Sequence, residues 1–191
     1  MTNETSDSQR RAVLQSIAGL AAGQTTPVAL AADAGRQQSG IGDFDFLAGH
    51  WKISHRRLKQ RWVGSDNWDV FEGEATCWSA LGGMASIEEL RVPARGFSGM
   101  GIRLFDLGKR AWADHWVSSR DGVLNSPMYG AFEDGVGTFI ADEHDGDLPI
   151  KSRGVWDRIT LASARWHQSF SRDGGRTWEH NWFMDWVRTS R

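Results

Sequence analysis

The sequence predicts an all-β protein, an antiparallel up-and-down barrel of about ten strands with a short helical turn before the first. Three observations predict it. Beyond residue 43 the apolar residues recur at strand spacing, and no long stretch keeps a 3.6-residue period. The segments are punctuated by turn-forming runs such as "LGG", "DLGKR", "DGVG", "DEHDGD" and "RDGG". Connections this short join antiparallel neighbours, because a parallel crossover needs roughly a dozen residues or more. So long a meander, with no helix left to cover it, removes its edges by closing on itself.

In chain order, residues 32–42 ("ADAGRQQSGIG") are small and polar and read as a linker, and 43–189 as the barrel. "DFDFLAGHW" allows one helical turn ahead of the first strand. Strands are expected at 51–60, 68–79, 84–92, 98–106, 111–120, 128–133, 137–142, 150–157, 164–171 and 177–188. "DEHDGD" (142–147) is rich in oxygen ligands but lacks the order of a calcium loop, and reads as a solvated hairpin loop.

Alternation assigns faces. In the first strand Trp51, Ile53, His55 and Arg57 share one face. In "AWADHWVSS", Trp112, Asp114, Trp116 and Ser118 oppose Ala113, His115 and Val117. In the last hairpin Trp166, Gln168 and Phe170 share a face. Trp178, His180, Trp182, Met184 and Trp186 then alternate with Glu179, Asn181, Phe183 and Asp185. Hydrophobicity turns the Trp/Met face inward, yet a one-residue difference at "SRDGGRT" reverses it. In that reversed register Glu179 and Asn181 line the lumen, while Trp182 and Trp186 face out and offer a homodimer contact.

Composition narrows the classes. Twenty-two Lys and Arg against 24 Asp and Glu give a net charge of −2 with no basic run, so a nucleic-acid partner is not expected. Eleven Trp against one Tyr supply core volume and apolar cavity walls. The single Cys77 excludes an internal disulfide and any CxxC site. Among six His there is no H-x-x-H or H-E-x-x-H spacing, so no metal is expected. At the N-terminus, Arg10 and Arg11 precede an apolar stretch (12–23), then Pro27 and Ala29-Leu30-Ala31. This is the order of an export signal over 1–31, with the arginine pair of the twin-arginine route, and implies a periplasmic or otherwise exported chain. No later segment is long and apolar enough to span a membrane.

"SFSRDGGRTWEHNW" matches an Asp-box, a motif repeated around sialidase-type propellers. One copy cannot make a propeller, and the only Tyr, Tyr129, lies in a short hairpin strand. Asp173, Gly174 and Gly175 read instead as a hairpin turn.

Gly49-His50-Trp51, at the start of the first strand, resembles the G-x-W pattern of lipocalin-like (calycin) barrels. There the Trp closes one end and an Arg near the end of the last strand packs over it, a role Arg188 matches. The stretches "FDFLAGHWKISHRRLK", "LGGMASIEE", "GMGIRLFD", "FEDGVGTF" and "FSRDGGRTWEHNWFMDW" are similar to a bacterial lipocalin-like family of unknown function. The resemblance implies a barrel with an internal cavity but no settled substrate or catalytic residues.

The expected function is binding of a small apolar or aromatic ligand in that cavity. Trp116 and Trp166 would be walls, and His55, Arg57, Gln168 and Asn181 would orient a polar end. The alternative is an acid–base isomerase, lyase or hydrolase, with His55 as acid or base, Asp114 or Glu179 its partner and Arg57 stabilising an oxyanion. Asp114 is also a candidate ion-pair partner for Arg57. No cofactor is expected in the main reading. Haem on a barrel His, with His55 the first candidate, is the lesser one.

Overall fold

The computed structural model describes residues 39–190; the expected export signal (1–31) and residues 32–38 of the linker lie outside the described residues. A 3₁₀ turn at Asp45–Leu47 leads into ten strands. They are β1 (Gly49–Leu58), β2 (Trp68–Ala80), β3 (Ala85–Val92), β4 (Phe97–Asp106), β5 (Ala111–Ser118), β6 (Met128–Glu133), β7 (Val136–Asp145), β8 (Leu148–Asp157), β9 (Ser163–Ser171) and β10 (Glu179–Ser190). Each pairs antiparallel with its neighbour in sequence, and β10 pairs with β1 to close the barrel. All ten expected strands are present, and the fold is the all-β up-and-down barrel that the short connections predict. Among the described residues no helix is long and apolar enough to cross a membrane.

The N-terminal approach plugs one end. Phe44 and Leu47 are almost fully buried in the core with Trp51, Trp112, Phe132, Phe139, Trp156 and Trp186. Phe44 meets Trp112 and Phe132 edge-on, both at 4.9 Å, the offset geometry that aromatic quadrupoles favour. The Trp51 indole donates to Leu47 O at 2.7 Å, and the Arg188 guanidinium lies 4.1 Å from the Trp51 ring centre. Arg188 also donates to the carbonyls of Leu161, Ala48 and Phe46, tying the last strand to the turn before the first. Residues 39–42 of the expected linker dock here too: Asp43 accepts from Ser39 Oγ and Gly40 N, and Gly42 N donates to Gly83 O.

The opposite end carries the β1–β2, β3–β4, β5–β6, β7–β8 and β9–β10 connections. Residues 59–67 form a strap that reaches across from β1 to the β7–β8 hairpin. Arg61 and the Trp62 indole both donate to the Asp145 carboxylate, and Trp62 N donates to Glu179. Trp62 holds a positive φ of 69°, which this double tether enforces. These contacts correct the reading of "DEHDGD" as a loop. β7 runs on to Asp145, and only Gly146 and Asp147 turn the chain into β8, because Asp145 is held in place by the strap.

The last hairpin resolves the choice of face by using both. A bulge between His180 and Trp182 takes up Asn181 as an extra residue. Before it Glu179 pairs with Phe170, and after it Trp182 pairs with Gln168, Met184 with Trp166 and Trp186 with Ala164. Inserting one residue flips the alternation. The Trp/Met face therefore points inward, and the tryptophan pair that an outward register would have offered to a dimer lines the interior instead.

Candidate functional site

Between the plug and the strap lies a cavity of about 210 Å³. Trp116, Trp156, Trp166, Trp182 and Trp186 contribute to its lining, with Leu90, Met128 and Met184. Trp166 and Trp182 stand nearly perpendicular, 5.8 Å apart at 86°, and Trp156 meets Trp186 at 5.3 Å and 57°. Space for such rings is made on neighbouring strands. A Cβ at Gly99 would come within 2.1 Å of Trp116, so glycine there is what lets the indole lie against β4. The exposed Asn125 and Ser126, on the connection after β5, form part of the cavity's rim. β5 and β6 share only three paired positions, and beyond them the connection itself lies against β5, with Leu124 bridged to Val117 and Asn125 N donating to Trp116 O.

The polar part of the cavity joins Asp114, an expected site residue, to Glu88 and Arg103, which the sequence pattern did not mark. Arg103 of β4 lies between Glu88 of β3 and Asp114 of β5, all three lining the cavity. Arg103 Nη2 reaches Glu88 at 2.5 Å and Nε lies 3.3 Å from Asp114. Both Arg103 and Glu88 are nearly inaccessible, and the guanidinium sits over the Phe44 and Trp156 rings at 5.1 and 5.4 Å. Burial opposes the Arg103 charge, but Asp114 and Glu88 outweigh it and hold the pKa above its ordinary value. Burial pushes the Asp114 carboxyl up, with Arg103 opposing and Glu88 adding to the shift. Glu143 of β7 also lines the cavity, and burial raises its pKa.

The expected site residues are partly brought together. Trp116, Trp166, Gln168 and Asp114 all line the cavity. Asp114, however, pairs with Arg103 rather than Arg57. Arg57 lies at the strap end, exposed, its guanidinium 4.7 Å from the Trp182 ring. Partial burial there, then the neighbouring Arg61 and Arg120, hold its pKa below the ordinary value.

His55 points into the barrel and is fully buried, but behind Trp182 rather than on the cavity wall. It stacks on Phe71 at 4.6 Å and 9°. Its Nδ1 accepts from the Trp182 indole at 3.2 Å, which puts the ring proton on Nε2. Nε2 finds no partner and faces Gly73, where even a methyl would sit 2.7 Å away. Burial lowers the His55 pKa to about 4, so the ring is neutral at pH 7. In this arrangement His55 offers no open ring nitrogen to a haem iron. Asn181 is buried at the bulge, its Nδ2 unpartnered, and is not part of the cavity wall. Glu179 is held by Trp62 N of the strap. His55, Asp114 and Glu179 thus have three separate sets of partners.

The Asp-box is a hairpin turn. Asp173 accepts from the backbone of Arg176 and Thr177 and from the hydroxyls of Ser171 and Thr177. Those bonds, the Thr177 hydroxyl first, hold its carboxyl well below the usual range. Among the described residues no group of three or more His, Cys, Asp or Glu is arranged to hold a metal ion. No protein-family model matches the chain, and no curated protein is detectably similar to it in sequence.

Proposed function

We propose that this is an exported, lipocalin-like binding protein whose barrel cavity takes one small ligand with an apolar or aromatic body. The observation that carries the reading is the cavity itself, walled by five tryptophans and fitted with a buried Glu88–Arg103–Asp114 group. Mostly apolar walls with a few fixed polar groups are the composition of a small-molecule site. At 210 Å³ the space is smaller than the roughly 300 Å³ and upward of drug-sized sites, and equals about seven waters of liquid volume. The ligand is therefore small. The closed lower end and the strap favour uptake past Asn125 and Ser126.

Native mass spectrometry of the chain purified without denaturation tests this, followed by tryptophan-fluorescence titration with whatever compound is retained. Trp166→Ala is expected to weaken that compound by about tenfold or more, since an aromatic wall contributes much of such binding. Unchanged affinity in the folded variant would refute the site.

Acid–base catalysis in the same cavity is favoured by one observation, the raised carboxyls of Asp114 and Glu143. In that reading these two, rather than the enclosed His55, exchange protons with the bound molecule.

A further inference from the structure

We propose that the ligand is a small organic cation, an ammonium group on an apolar or aromatic body, held between indole faces and the carboxylates of Glu143, Asp114 and Glu88. The inference rests on reading the barrel cavity as a binding site, and it names the charge of the occupant.

The cavity wall carries three carboxyl groups and one guanidinium. That guanidinium is already engaged by both Glu88 and Asp114. With both ionised, the buried group keeps one negative charge in excess. Glu143 adds a further carboxyl that has no ion-pair partner among the described residues. Unpaired negative charge in a poorly solvated space is costly, and a cation between these groups removes the cost.

The aromatic walls favour the same sign. The faces of indole rings are the negative side of their quadrupole, and perpendicular rings such as Trp166 and Trp182 present a corner in which an ammonium meets more than one face. The protein already uses its rings this way: Arg103 lies over Trp156 and Arg57 over Trp182.

A separate observation calls for an occupant at all. Trp156 and Trp186, each 1% exposed and both lining the cavity, have indole N–H groups with no acceptor in the protein. Buried donors are normally satisfied, by water or ligand where the protein does not serve. A cation bearing a hydroxyl or carbonyl oxygen would answer both needs. An anion would have to set its charge against the same carboxylates.

Isothermal titration of the full chain with 2-phenylethylammonium, 2-phenylethanol and phenylacetate tests the charge directly, since the three probes share a body and differ in head group. The ammonium is expected to bind about tenfold or more tightly than the alcohol, with phenylacetate weakest. Glu143→Gln should reduce that preference, bringing the ammonium and alcohol affinities closer together. Equal binding of ammonium and alcohol, or a preference for phenylacetate, overturns the cation while leaving the cavity as a binding site. If none of the three binds, the cation proposal falls for this ligand class, and a compound retained in native mass spectrometry would show whether the cavity reading survives.

Discussion

Replacing His55 with Gln should flatten the acid side of the stability profile. Burial lowers the folded-state pKa of His55 from 6.5 to about 4, and the ring is fully enclosed. Between those values the unfolded chain binds a proton that the folded chain refuses. Stability therefore falls as pH drops through this window, is undiminished above about pH 6.5 and has lost its full share below about pH 4. At about 1.4 kcal/mol per pH unit the complete effect is about 3 kcal/mol, and about 2 kcal/mol is already lost at pH 5. Gln is neutral throughout and can still accept from the Trp182 indole. Asp114 and Glu143, whose raised carboxyls act with the opposite sign, are common to both proteins and cancel in the difference. Urea unfolding at intervals from pH 4 to 7.5 provides the measurement. The gap between wild type and His55→Gln should close by about 2 kcal/mol on going from pH 7.5 to 5, even though the variant starts less stable through its lost stacking on Phe71. Parallel pH profiles would refute the reasoning, because they would mean that His55 protonates in place without penalty.

Substitutions at Arg188, Gly99 and Gly40 test the packing around the barrel. Arg188→Ala removes the guanidinium from the Trp51 face and deprives the carbonyls of Leu161, Ala48 and Phe46 of their donor. It should cost about 3 kcal/mol in chemical denaturation, and Arg188→Lys should recover only part of that, since an ammonium lacks the planar fork. Gly99→Ala places a methyl where Trp116 lies and should cost about 1–3 kcal/mol while changing the fluorescence response to ligand. Gly40→Ala, with open space around it, should stay within about 0.5 kcal/mol of wild type by thermal unfolding.

Much of the fold was legible because it is written in local pattern. Strand-length segments and turn residues gave ten antiparallel strands, and closure followed from the lack of any helix to cover an edge. Trp51 and Arg188 were legible as a pair only through resemblance, since they lie near opposite ends of the chain and meet only when β10 pairs with β1. Of the polar part of the cavity, Asp114 and Gln168 were legible from alternation, but Glu88, Arg103 and Glu143 were not. In "GMGIRLF" hydrophobicity puts Met100, Ile102 and Leu104 inside, yet Gly99, Gly101, Arg103 and Phe105 face the barrel interior and Met100 and Leu104 are exposed. The available signal was the alternation of glycines with one large polar residue, which can be read as room left for Arg103.

The sequence by itself determined how many strands form, where they turn and that they meet as sequential antiparallel neighbours, because those properties depend on residues a few positions apart. Tertiary structure decided what the cavity contains. One extra residue, Asn181, set the face of β10 by shifting its register against β9. Asp114 found Arg103 because β4 and β5 align them, and Trp62 reached Asp145 across 83 positions of chain. Local periodicity assigns a side chain to one of two faces, but its partner is chosen by register and barrel closure, which no single segment encodes.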